Sequence, residues 1–195
     1  DFDRTQNRIE RRDIISSKLG SVPVGFTGYD FGSNNLKAGY NRAKLSWYSI
    51  DPIFYSYRSP PEIDADEISK NSTRRIYIDE IFPELDLYQG ESRAQTTFDI
   101  SFYPDEKGPY NNNTNEDFLN NKEDNWASIT KTINTTNFKK ANVEYIQFWL
   151  LDDFSNYPSN DFEIGEIIFH LGNISEDILS DGKKQYENGL PIKVS

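Results

Sequence analysis

The sequence predicts an all-β domain, a two-sheet sandwich of jelly-roll type with long polar loops. Three observations predict it. Residues 143–151 and 164–171 are nearly unbroken apolar runs, short, rich in Ile, Val, Phe and Trp, and bounded by Asn, Asp and Gly. That is the pattern of strands buried on both faces, and Gly165 and Gly172 around the second run weigh against a helix. The stretch Q-T-T-F-D-I-S-F-Y at 95–103 alternates, with Phe98, Ile100 and Phe102 expected inward and Asp99, Ser101 and Tyr103 outward. Finally, five to eight short strand candidates are separated by polar, turn-rich connections with very little helical periodicity.

Taken in order, residues 1–18 are strongly charged, with Arg8, Arg11 and Arg12 among Asp1, Asp3, Glu10 and Asp13, and read as a short edge strand or an ordered arm. Residues 22–31 are punctuated by Pro23, Gly25 and Gly28 and read as loop. The stretch A-K-L-S-W-Y-S-I at 43–50 alternates and reads as a half-buried strand ended by Asp51-Pro52. Residues 59–71 carry Pro60, Pro61 and several acids, a loop with one helical turn expected over 64–69. A strand is expected over 74–82, stopped by Pro83, and another over 126–133, with a long Asn-rich acidic loop at 104–125 before it. Residues 136–141 read as a turn or one helical turn, and 152–161 as a solvated connection between the two apolar runs. S-E-D-I-L-S-D-G at 175–182 predicts one capped helical turn ended by Gly182. On this reading residues 1–190 make a single sandwich domain and 191–195 an exit linker.

Composition narrows the function classes. A net charge of -11 opposes binding to nucleic acid, whose phosphates demand a basic face, and adsorption to anionic lipid. With 195 residues the chain can bury a real core, yet a mean hydropathy of -0.77 implies long polar loops around a small aromatic one. There is no cysteine, so neither disulfide nor thiol chemistry is available. No apolar run approaches the ~20 residues of a membrane helix. The chain opens on Asp1-Phe2-Asp3 without Met, which suggests a piece of a larger protein. Four glycosylation-type sequons, at Asn71, Asn112, Asn134 and Asn173, are expected by chance in so Asn-rich a chain.

Candidate chemistry is sparse. The single histidine, His170, sits in an apolar run and lacks a second His or a Cys with which to build a nitrogen or sulfur site. It reads as a buried or half-buried structural residue. Acid pairs recur at Asp64/Asp66/Glu67, Asp105/Glu106, Glu123/Asp124, Asp152/Asp153 and Glu176/Asp177. Two carboxylates are what a glycosidase needs, but in so acidic a chain they read as solvated. Asp1, Asp3, Asp152 and Asp153 offer hard oxygen ligands for a structural Ca²⁺, without the loop glycine and terminal glutamate of an EF-hand. No cofactor and no catalytic group are expected. Tyr55, Tyr57, Tyr88, Tyr110 and Tyr157 fall in predicted loops, where they could stack on sugar rings or on a protein partner.

Several strings in fixed order carry a resemblance. They are A-K-L-S-W-Y-S-I-D-P (43–52), E-I-F-P (80–83), F-Y-P-D-E-K-G-P-Y-N (102–111), N-W-A-S-I-T-K (125–131), N-V-E-Y-I-Q-F-W-L-L-D (142–152) and G-N-I-S-E-D-I-L-S-D-G-K-K-Q-Y-E-N-G-L-P (172–191). Together they resemble consecutive segments of the SprA (Sov) family of giant cell-surface proteins in gliding and secreting Bacteroidetes. The chain departs from that pattern at Leu151-Asp152-Asp153, where the family usually has Met-Asp-Pro, and at Trp126-Ala127-Ser128, where it has W-G-G. The resemblance implies a soluble, non-catalytic portion of the outer-membrane translocon of type IX secretion, expected on the extracellular face, with the periplasmic side as the alternative. Its partners would be other secretion components and secreted cargo, and it would meet the membrane only through the parent barrel. D-F-D near the start, N-F-K-K-A-N-V-E-Y-I-Q-F-W and G-E-I-I-F-H-L-G also resemble galactose-binding-like jelly rolls of carbohydrate-binding modules. That likeness implies the same fold and a rival function, sugar binding.

Overall fold

A computed structural model describes residues 17–26, 28–31, 36–133, 137, 139–140, 144–152, 165–180 and 182. The chain divides into two compact units. One is Asp1–Trp47 with Ile100–Ile133 and Ile168–Ser195; the other is Tyr48–Asp99 with Asn134–Ile167. Nothing in the sequence signals this division, because each unit is assembled from separated segments.

The described architecture is β-rich, with short helices and small antiparallel pairs. Six strands are formed: β1 (Lys18–Leu19), β2 (Ala43–Tyr48), β3 (Ile76–Tyr77), β4 (Ala94–Gln95), β5 (Asp99–Lys107) and β6 (Ile129–Thr130). They make three two-stranded sheets, β1-β6, β2-β5 and β3-β4. β1 and β6 are antiparallel with Lys18 opposite Thr130, and β3 and β4 with Ile76 opposite Gln95. β2 lies where the alternation of A-K-L-S-W-Y predicts it.

In the first unit the core is Val22, Ala38 and Trp126, with Phe26 edge-on to the Trp126 ring at 6.5 Å. Arg42 sits at its centre, 1% exposed. Its guanidinium lies 4.5 Å over the Trp126 ring, Nη1 donates to the Gly20 carbonyl at 2.6 Å, and Nη2 donates to the Ile178 carbonyl at 3.3 Å. A planar fork of donors suits this task, which a lysine could not reproduce. Serines finish the lacing: Ser128 Oγ donates to the Ser21 carbonyl and Ser21 Oγ to the Ser175 carbonyl, each at 2.8 Å. The 175–182 stretch is capped as expected, the Ser175 hydroxyl accepting from the Asp177 N–H, but it closes as bends without a helix and buries Leu179.

In the second unit, Asp51 accepts from the Ile53 N–H and starts a 3-10 turn over Pro52–Tyr55. The helical turn expected near 64–69 forms as Ala65–Ser69, with the Asp64 carboxylate accepting from the Asp66 N–H. The strand expected over 74–82 is cut short. Only Ile76 and Tyr77 are extended, and Ile78–Ile81 turns into a helix. The cause is Glu80, which accepts from the Tyr77 N–H at 3.0 Å while Arg74 holds its other oxygen at 2.7 Å. A local carboxylate-to-backbone bond here beats β propensity.

Tyr55 ties this unit together: its hydroxyl donates to the Thr73 carbonyl, and the Arg75 guanidinium sits 5.4 Å from its ring. Burial raises the Tyr55 pKa above the ordinary 10.0, the Asp99 carboxylate adds to this, and Arg75 opposes it. The fold therefore holds the neutral phenol, and its contribution is complete below pH 10.0 and lost as pH rises through the raised value. Phenolate absorbance should show an ionisation above the ordinary tyrosine range in the native chain, and Tyr55→Phe should remove it.

Three expectations are corrected. Residues 144–152 and 165–171 lie in no strand, and their large apolar side chains are exposed, Tyr145 by 82% and Trp149 by 63%. Val143 and Ile164 lie outside the described residues. Apolar content sets a demand for burial, but it does not supply the flanking strands that would meet it. His170, expected to be buried or half-buried, is exposed. The facing of β5 is inverted: Ile100 and Phe102 are exposed, while Asp99, Ser101 and Tyr103 are half-buried. Its register is set on the other side, where Lys44 of β2 bonds Glu106 and lies 4.6 Å from the Tyr103 ring. β5 also runs through Pro104 to Lys107, beyond the predicted end at Tyr103, in a two-stranded sheet with β2. The arm at 1–16 and the exit linker at 191–195 lie outside the described residues.

Candidate functional site

The stretch after β5, read as a loose acidic loop, is a tethered structure. Its first turn is Gly108-Pro109-Tyr110-Asn111, closed by the Asn111 N–H donating to the Gly108 carbonyl at 3.2 Å. Gly108 is required by space: a Cβ there would stand 2.2 Å from the Ala43 carbonyl oxygen. The Gly108 N–H donates to the Arg42 carbonyl at 3.0 Å, so the turn is bolted to the start of β2. Pro109 fits the second position of a type II-like turn, but the third is Tyr110 at φ 63, a left-handed value that costs a non-glycine residue ~1–2 kcal/mol. Tyr110→Gly should therefore raise stability by ~1 kcal/mol in denaturant unfolding, the residual entropy cost of glycine permitting no more.

Asparagines then act as backbone clamps. Asn111 Nδ2 donates to the Tyr40 and Arg42 carbonyls at 2.9 and 2.7 Å. Asn111 Oδ1 accepts from the Asn113 N–H, and Asn113 Oδ1 from the Asn115 N–H, two successive Asx turns. Lys107 Nζ donates to the Asn113 carbonyl at 2.5 Å. At the far end Asn125 Nδ2 donates to the Pro104 and Phe118 carbonyls at 2.7 and 2.8 Å. Phe118, on the short helix Asp117–Asn120, is 2% exposed and plugs the loop from inside.

Between β5 and this loop lies an open cleft of about 520 Å³, lined by Asp105, Glu106, Lys107, Thr114, Glu116 and Leu119 among others. Glu106 is engaged by Lys44 at 2.5 Å, and Asp105 by Lys122 at 3.7 Å. The Glu106 hydrogen bond raises the Lys44 pKa; desolvation opposes it, and the charges of Glu106 and Tyr103 add smaller raising contributions. Glu116 and the exposed Leu119 complete an acidic rim with one apolar contact point. Ion-paired carboxylates of this kind can bind and orient a charged partner.

The other sequence candidates are scattered. Asp64 caps a helix, Glu67 pairs with Lys70 at 2.6 Å, and Asp177 accepts from the Gly182 N–H at 2.7 Å. Among the described residues no group of three or more His, Cys, Asp or Glu is gathered where a metal ion would sit. Asp1, Asp3 and Asp153, named for calcium, lie outside them. Of the tyrosines, Tyr57 and Tyr88 are exposed by 89% and 78%, Tyr55 and Tyr110 are half-buried, and Tyr157 lies outside the described residues. Arg58 occupies the Tyr57 face at 5.3 Å and donates to its hydroxyl, so Tyr88 is the better candidate for stacking. No protein-family model and no curated protein matches the chain. Among the described residues no helix is long and apolar enough to cross a membrane.

The clamp residues Asn111, Asn113 and Asn125 were missed by sequence reasoning. Their signal was available in part: three consecutive asparagines directly after G-P-Y are more than a solvated loop needs.

Proposed function

We propose that this chain is a non-catalytic structural and interaction domain of an outer-membrane protein-secretion translocon of the type IX, gliding-associated kind. In this reading the β-rich chain belongs to a jelly-roll-type sandwich on the extracellular face of the parent, and the clamped loop with its acidic cleft docks a partner or shapes the pore mouth. One observation carries the proposal. Two of the strings that resemble the SprA family supply parts of the tethered site and its anchor. F-Y-P-D-E-K-G-P-Y-N supplies the cleft wall and the Gly108 turn, and I-S-E-D-I-L-S-D-G supplies the Ile178 carbonyl that holds Arg42. Residues needed only for a generic surface loop would not be placed so closely against main chain.

Cargo secretion in a strain whose full-length parent lacks only residues 1–195 tests the proposal, with barrel level in the outer membrane measured alongside. Lost secretion at normal barrel level is the expected result. Undiminished secretion would sink it and favour the second reading, a carbohydrate-binding module, which the exposed ring of Tyr88 supports. A glycan array on the isolated chain, with Tyr88→Ala as control, separates the two.

A further inference from the structure

We propose that residues 144–152 are a docking strand for an extended apolar segment of another polypeptide, one flanked at both ends by lysine or arginine. Between Glu144 and Asp152 the sequence is Y-I-Q-F-W-L-L, with Gln147 the single polar residue. The segment lies in no helix or strand, and Tyr145, Ile146, Phe148, Trp149, Leu150 and Leu151 are all exposed. The Trp149 and Phe82 rings meet in a T-shaped contact at 5.7 Å and 83°. Successive side chains of an extended segment point to opposite sides, so apolar neighbours such as Phe148-Trp149-Leu150 require cover on both faces. Six large side chains at this exposure present on the order of 800 Å², the share one partner contributes to a standard interface. An isolated surface patch of that size marks an interaction site.

Charge selects the occupant. The run ends on Glu144 and Asp152, and residues 48–99 of the same unit carry eleven acids against five bases. A second copy pairing antiparallel would set these end acids against themselves and bring together two chains of net charge -11. Like charges directly opposite destabilise a strand pair, and the summed field opposes the approach. A foreign segment with a cation at each end meets both acids with opposite charge, and its backbone and alternating side chains extend the apolar run as an added strand.

The test uses the full 195-residue chain and three synthetic peptides. The first alternates valine and threonine with lysine at both ends; the second carries glutamate at the ends; the third has proline at its centre. Calorimetry should give one lysine-ended peptide per chain, at least tenfold weaker binding of the glutamate-ended one, and none of the proline one. Trp149→Asp should weaken binding at least tenfold with unchanged circular dichroism, and Glu144→Lys should narrow or reverse the charge preference. Equal binding of the two charged peptides, or no binding of the first, overturns the proposal. A dimer in sedimentation that Trp149→Asp dissolves overturns it too, in favour of a second copy.

Discussion

Arg42→Ala should be among the most damaging single substitutions in the first unit, costing about 3–5 kcal/mol and lowering Tm by roughly 10 °C. Three losses combine. The Gly20 and Ile178 carbonyls lose a charged donor, the Trp126 face loses its cation, and a long side chain leaves a void in a nearly closed site. Relief of the buried charge offsets part of this, because holding a guanidinium away from water is itself costly. Arg42→Met separates the contributions. It keeps most of the volume, so its expected cost falls to ~1–3 kcal/mol, the value of the lost hydrogen bonds alone. Urea unfolding followed by tryptophan fluorescence checks both. If Arg42→Met proves as damaging as Arg42→Ala, packing is not the larger share. Arg42 and Trp126 touch, so their substitutions should not add, and a double-mutant cycle would read their coupling directly.

Phe118→Ala should cost about 3–5 kcal/mol as a buried aromatic, with its effect concentrated in the candidate site. The ring fills the space beneath the loop, and Lys107 lies 5.9 Å from it. The Phe118 carbonyl is one of the two acceptors that position Asn125. Hydrogen exchange should therefore show residues 108–125 losing protection together, beyond what the global stability change explains. Asn125→Ala should reproduce the local loosening at a smaller cost of ~1–3 kcal/mol, because it frees two carbonyls without opening a cavity. If loop protection is unchanged in both variants, the clamps do not hold the cleft in shape, and partner docking through it loses its physical basis.

Local rules were legible along the chain. The alternation at 43–48, the Asp64 cap before Ala65–Ser69 and the Ser175 cap were all readable, because each depends on residues within a turn of one another. The helix at Ile78–Ile81 was hidden for an equally local reason, a Glu80 bond to the Tyr77 N–H that propensity for I-Y-I-D-E-I conceals. The face of β5 could not be read at all. Phe98, Ile100 and Phe102 alternate as well as any core strand, yet the covered side depends on what packs against the sheet, and it is Asp99, Ser101 and Tyr103 that are half-buried.

The sequence by itself determined the chemistry this chain can offer: an acidic, thiol-free, β-rich protein with one histidine. The tertiary structure decided which of its many polar residues are structural. Arg42, Asn111, Asn113 and Asn125 look like ordinary solvated residues in one dimension, and only contacts across 7 to 136 positions turn them into internal donors. It also decided that the most apolar run, at 144–151, is left facing outward. Burial depends on what stands beside a segment, and a residue pattern records only what the segment requires.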